Sequence, residues 1–293
     1  MRILFVTANR LGDAVLSTGL LDHLIRAHPE ARITIACGPI AEGVFQRMPN
    51  LERVIVFSKL PFGGHWLLLW KIALIQRWNL VVDIRGSALS WLIFTRRRAI
   101  MRPALGHKTQ QLAQILHLGR SPRPVAWYND LDIAHSSCLL PPGRMVIILA
   151  PTANWSPKVW PAERFVRLFQ RLAATFLRDA IPAVIAGSGA EEAAMAAPVL
   201  KALPDVIDLV GRLSLPQVAA LLAQSKLFIG NDSGLMHLSA ASGAPTLGLF
   251  GPTNADEYAP SGRRAIALVS SDATMEGISV DAALFAAEAL LAP

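Results

Sequence analysis

Residues able to do chemistry collect where apolar runs give way to helical patterns. Asp13 lies in "RLGDAVLS", Lys158 in "KVWPAERF", and Asp232, Ser233, Gly234 and His237 in "NDSGLMHLSAA". The last group has the makings of an anion site. Free backbone N–H groups at a helix N-terminus, with a hydroxyl beside them, favour a phosphate, and a diphosphate is the natural occupant. A carboxylate next to phosphate repels it, so Asp232 calls for a hydroxyl or amine on the same ligand, or else caps the helix. Ser233 has the same capping alternative, and His237 reads equally as a core histidine. Lys158 is one cation held near a helix entry by two prolines and by Trp155 and Trp160. It is placed either to neutralise a leaving diphosphate or to sit in solvent as a loop lysine, and two large aromatics in one loop count against the second. Asp13 is expected at a helix N-cap beside Gly12. Capping alone is worth about 1 kcal/mol, whereas a general base contributes roughly 10²–10⁴-fold in rate; a capping carboxylate remains able to accept a proton.

Other segments carry weaker signals. "GSGAEEAAM" puts Glu191 and Glu192 in the first turn of a helix after a strand, which suits either a tight turn or recognition of ribose hydroxyls. "NDLDI" (129–133) has a D-x-D spacing used by some metal-dependent sugar transferases, but it falls in a proline-rich stretch and reads as solvated loop. "TRRRAIMR" (95–102) is the densest basic run, part solvated helix end and part a potential meeting point for an acidic acceptor. The loop after the first strand has only Gly12 where a dinucleotide fold shows G-x-G-x-x-G, which disfavours hydride transfer.

These residues need a scaffold that brings loop ends together. Strand patterns fall at 2–8, 31–38, 51–58, 80–86 and 99–106, with helical periodicity over 13–29, a short helix opened by Pro39, and an apolar helix around Trp66 to Trp78. Residues 119–144 are rich in Pro, Gly, Ser and Arg and read as linker. A second series follows, with strands at 145–151, 181–187, 206–210, 226–231 and 245–251. Its helices are expected at 161–177, 190–203, 214–225 and 234–243, and a last one at 280–292. Strand alternating with helix in this rhythm implies α/β architecture with parallel sheets covered on both faces. The expected organisation is two doubly wound domains facing each other across a cleft. Residues 1–140 would form the first and 145–279 the second, with 280–293 as a terminal helix packing back across either. Ligands of such sheets bind beyond the carboxyl ends of the strands.

Bulk composition agrees. The 293 residues are 53% apolar and 17% charged, as for a well-cored globular protein. Cys37 and Cys138 match no metal spacing and read as reduced thiols of a cytosolic protein. The apolar run "WLLLWKIALI" (66–75) is about half a bilayer span, and no transmembrane helix is expected. Net charge is +7, but residues 1–145 hold 18 Lys and Arg against 8 Asp and Glu, while the remainder holds 10 against 13. A basic first half points to an anionic partner there: nucleic acid, an anionic membrane face or a phosphorylated substrate. Nucleic acid is disfavoured because no basic–aromatic interleaving is present.

Taken together, "RLGDAVLSTGLL", "DIRGS", "KVWPAERF", "GSGAEE", "NDSGLMHLSAA" and "LFGPT" resemble glycosyltransferase family nine, the ADP-heptose:lipopolysaccharide heptosyltransferases. The resemblance runs nearly the whole length. It implies a GT-B fold, two Rossmann-like domains, and inverting transfer of heptose from ADP-heptose to an anionic lipid-linked saccharide of the lipopolysaccharide inner core. No cofactor and no obligatory metal are implied. Asp13 would be the base and Lys158 would pair with the diphosphate. Asp232, Ser233, Gly234 and His237 would hold the donor's phosphate and sugar, and Thr152, Glu191 and Leu213 would line the nucleoside side. Arg85 and Arg97, in the basic half, are the acceptor-side candidates. The location implied is cytoplasmic, peripheral to the inner membrane. Two other readings share the architecture: a sugar-nucleotide epimerase or hydrolase, and a non-catalytic sugar-nucleotide-binding partner of lipopolysaccharide assembly.

Overall fold

The computed structural model describes residues 1–58 and 64–292, and the chain divides into two compact units, Met1–Trp127 and Tyr128–Pro293. The helix expected at residues 13–29, the strands and the terminal helix all find counterparts, with ends shifted by a few residues.

In the first unit the strands are β1 (Arg2–Val6), β2 (Arg32–Cys37), β3 (Leu51–Val56), β4 (Trp78–Asp83) and β5 (Thr95–Ile100). They form one parallel sheet in the order β3-β2-β1-β4-β5. The helices are α1 (Leu11–Ala27), α2 (Glu42–Phe45), α3 (Gly64–Leu74) and α4 (Lys108–Ile115), and α4 packs on α1. Leu4, Val6, Ala36, Trp78 and Val81 build the core on one face of the sheet. Sequence periodicity expects the fifth strand at 99–106, four residues too late. "TRRRAI" does not read as a buried strand because β5 is an edge, where exposed arginines discourage further pairing.

The second unit holds β6 (Val146–Ala150), β7 (Ile181–Val184), β8 (Ile207–Asp208), β9 (Leu227–Asn231), β10 (Thr246–Phe250) and β11 (Ala265–Val269), parallel in the order β11-β10-β9-β6-β7-β8. β6, β9 and β10 are buried along their whole length, as strands covered on both faces must be. The edge strand β11 goes unread in the sequence. Helices α5 (Asp130–Cys138), α6 (Ala162–Thr175), α7 (Ala190–Ala202), α8 (Leu215–Gln224), α9 (Gly234–Ser242), α10 (Ala255–Tyr258) and α11 (Val280–Leu291) complete the unit. The terminal helix α11 lays Ala283, Leu284, Ala287 and Leu290 into the same core as Trp160, Phe165 and Leu168, within this unit.

One stretch differs in kind from its reading. The linker composition of 119–144 conceals α5, which packs on α8 with Ser137 Oγ donating to Gln224 Oε1 at 2.7 Å. Asn129 and Asp132 form a reciprocal capping box: Asp132 N donates to Asn129 Oδ1 (3.0 Å) and Asn129 N to Asp132 Oδ2 (3.1 Å). "NDLDI" is therefore a helix start and not loop: Asp130, exposed, is the first residue of α5, and Asp132, buried, is the third. No helix among the described residues is long and apolar enough to cross a membrane.

Candidate active site

Each sheet has a topological switch point, where successive connections leave to opposite sides and the carboxyl ends of two strands open a crevice. In the first unit it lies between β1 and β4. Asp13 follows β1, but as the third residue of α1 rather than its N-cap, because Leu11 and Gly12 already take up helix and Arg10 is the capping residue. A carboxylate in the first turn is still favoured by the helix dipole. The loop after β4 is tied down by Asp83, fully buried at the strand's last position. Its Oδ1 accepts from Arg85 N (2.8 Å), and its Oδ2 accepts from Ser87 N (2.9 Å), Ser87 Oγ (2.5 Å) and Ser90 Oγ (2.5 Å). That turn delivers Arg85 to the end of β1, where Nη1 donates to Asn9 Oδ1 at 2.9 Å and the guanidinium lies 5.5 Å from the Phe57 ring centre. Partial burial draws the Arg85 guanidinium below its ordinary pKa, opposed by the Asp83 carboxylate, and the group stays cationic at physiological pH. Asn9 also lies against Gly38, where a Cβ would come within 2.8 Å of Asn9 Oδ1, so only glycine admits this approach. Arg97 is not brought to this edge: it sits exposed in the middle of β5, opposite Leu80.

In the second unit the switch point lies between β6 and β9, and there the sequence candidates converge. Lys158, ending a short 3₁₀ turn after β6, donates from Nζ to Asp232 Oδ2 at 2.7 Å, with both side chains largely withdrawn from solvent. Asn231, the fully buried last residue of β9, holds the two loops together. Its Oδ1 accepts from Trp160 N (3.0 Å) and its Nδ2 donates to Thr152 O (3.4 Å). Trp160 is itself buried, edge-on to Phe165 at 5.1 Å, with Nε1 donating to Ile278 O (3.0 Å), while Trp155 remains half exposed. Ser233 occupies the N-cap of α9 but does not cap: its Oγ is inaccessible to solvent and makes no hydrogen bond among the described residues. Gly234 opens that helix, and His237 is buried in it with its backbone N 3.4 Å from Ser233 O.

The nucleoside-side candidates line the neighbouring strand ends. Thr152 is buried just past β6. After β7, Glu191 is exposed, whereas Glu192 curls back so that a Cβ on Gly187 would meet its Oε2 at 1.9 Å; of the two, it is Glu192 that lies over the strand exit. Leu213 is half-buried between β8 and α8, beyond the Gly211 turn whose N donates to Ala186 O at 3.1 Å. Sequence reasoning missed Asn9, Asp83 and Asn231. Each is a polar residue at or just past the end of an apolar strand, a position that signals loop tethering.

A basic loop edge in one doubly wound unit, and a lysine–carboxylate pair beside a helix N-terminus in the other, both stand at the strand ends where ligands of such sheets bind. The family model described as glycosyltransferase family 9 (heptosyltransferase) matches residues 71–280, and the chain belongs to that family. It is thus a glycosyltransferase. It is 25% identical to lipopolysaccharide heptosyltransferase 2 of Salmonella typhimurium over 90% of this chain and 87% of that one. Its fold matches a family 9 glycosyltransferase from Veillonella parvula (TM-score 0.84, 21% identity, covering 99% of this chain and 97% of the other). It also matches Escherichia coli ADP-heptose lps heptosyltransferase II (TM-score 0.81, 20% identity, 99% and 98%). These likenesses bear out the expected fold class, GT-B with two Rossmann-like units.

Proposed function

We propose that the chain transfers heptose from ADP-heptose to a sugar of the lipopolysaccharide inner core, with inversion, at the inner face of the cytoplasmic membrane. The observation that carries this reading is the Lys158–Asp232 pair beside the unbonded Ser233 hydroxyl at the start of α9. A diphosphate arriving there meets the Lys158 cation and the N–H groups of the α9 N-terminus. The names of the relatives, lipopolysaccharide heptosyltransferase 2 and ADP-heptose lps heptosyltransferase II, supply the substrate class.

In the proposed reaction Asp13 takes the proton of the acceptor hydroxyl, and that oxygen attacks the anomeric carbon. The bond from this carbon to the diphosphate oxygen breaks, and its electron pair leaves with ADP. Lys158 neutralises the charge that grows on the diphosphate, where a preorganised cation acts on the transition state more than on the ground state. Asp232 first holds Lys158 in place and then accepts from the donor's hydroxyls. Ser233, Gly234 and His237 hold the phosphate and sugar. Thr152, Leu213 and Glu192 hold the nucleoside, Glu192 being the glutamate that turns back over Gly187 where Glu191 is exposed. Arg85 attracts the anionic acceptor; the place of Arg97 on β5 makes it a longer-range contributor to the same field.

Thermal denaturation with a panel of nucleotide sugars tests the donor class. ADP-linked sugars are expected to raise the melting temperature and UDP- and GDP-linked sugars at equal concentration are not, since only a ligand bound by the native state stabilises it. A preference for UDP or GDP forms refutes ADP-heptose as donor.

A further inference from the structure

We propose that the loop between β4 and β5, with the arginines of β5, is the surface by which the protein sits on an anionic phospholipid bilayer. This deepens the reading above, which sets the enzyme at a membrane, by assigning the residues. "WLIF" (91–94) is a run of four large apolar side chains of which the fold uses one. Ile93 is 3% exposed and anchors the loop, while Trp91, Leu92 and Phe94 are 66%, 61% and 68% exposed. The loop is nonetheless held firmly. Trp70 Nε1 of α3 donates to Leu92 O (2.9 Å), Trp78 N to Phe94 O (3.1 Å) and Arg98 Nε to Ser90 O (2.7 Å). Three large apolar groups presented to water on a fixed backbone form a patch that calls for a partner.

Charge says which partner. Arg96, Arg97 and Arg98 follow directly, with Arg102 beyond the strand, and none of the four forms an ion pair among the described residues. Arg98 lies over the Trp91 ring at 5.7 Å, and Trp91, Arg98 and Arg102 line one cavity of about 590 Å³, so apolar and basic groups share one surface. Between residues 53 and 129 the sequence holds 12 Lys and Arg and one acid, Asp83, which is buried. Edge-strand protection explains arginines on β5, but not three exposed apolar side chains ahead of them. Aromatic and aliphatic groups that enter the interface, ringed by arginines that meet lipid phosphates, explain both.

The test is co-sedimentation of the full chain with vesicles of phosphatidylcholine alone or with one quarter phosphatidylglycerol. The wild type is expected to bind the anionic vesicles at least tenfold more tightly and to release them in high salt. The triple variant W91S/L92S/F94S is expected to lose tenfold or more of that binding. R96E/R102E is expected to abolish the difference between the two vesicles. Both should keep the wild-type melting temperature and its rise with ADP-sugar, a readout that separates failure of this surface from failure of the donor assignment. Undiminished binding by either variant, equal binding of neutral and anionic vesicles, or self-association through this face in place of vesicle binding overturns the proposal.

Discussion

Lys158 and Asp232 are 74 residues apart in sequence and 2.7 Å apart in space. Each was readable as a candidate from its own loop, one for the diphosphate and one for donor hydroxyls. Their pairing was not, because it depends on β9 lying next to β6, which periodicity does not specify. The pair has two consequences. Lys158→Ala removes the cation proposed to meet the charge on the leaving diphosphate and should lower kcat/KM by roughly 10²–10³-fold, measured under donor-limiting conditions; an unchanged kcat/KM contradicts the role. Asp232→Asn leaves the lysine short of its charged partner in a half-buried site and should cost about 1–3 kcal/mol of stability, read from urea unfolding. The glutamates show the same limit of sequence reading. Adjacency left Glu191 and Glu192 open, and only the fold turns Glu192 back over Gly187.

The strands buried on both faces were the most legible elements. β1, β6, β9 and β10 are continuous apolar runs because both faces are covered, and a linear reading finds them. The four edge strands are freed from that rule and fared unevenly: β3 and β8 were read in place, β5 four residues late and β11 not at all. α5 hides in proline- and serine-rich composition, yet its Asn129…Asp132 box, at the three-residue spacing of a capping signal, was open to view. The strand ends yield two predictions. Asn231→Ala strips the bonds to Trp160 N and Thr152 O and leaves a buried N–H unpaired, so stability should fall by about 2–3 kcal/mol, visible as an earlier urea midpoint at unchanged slope. Cys37, the last residue of β2, is pushed up from 9.0 to about 12 by burial, with the Glu42 charge adding to it. The native state therefore favours the neutral thiol. That contribution to stability is intact below pH 9 and is lost as pH rises from 9 toward 12. A thiol reagent at pH 8 should label the exposed Cys138 in the native protein and Cys37 only after unfolding; rapid reaction of both contradicts the burial.

At the scale of the molecule, two units of one architecture carry opposite charge. Residues 1–127 hold 17 Lys and Arg against 6 Asp and Glu, while residues 128–293 hold 11 against 15. The sequence showed this asymmetry directly, because charge needs no fold to be counted, and it agrees with the proposal that the anionic acceptor meets the first unit. The proposed chemistry divides the same way, with the base in one unit and the donor's anchors in the other. An increased ionic strength should accordingly raise KM for an anionic acceptor more than for the donor, a split that steady-state kinetics at two salt concentrations resolves. The most direct measurement of the central claim pairs two readings on Asp13→Asn: turnover at saturating ADP-heptose, and the melting-temperature rise that ADP-heptose induces. Turnover should fall roughly 10²–10⁴-fold with the rise intact. A variant that turns over like the wild type, or one that loses the rise, contradicts the assignment of Asp13 as the base that deprotonates the acceptor.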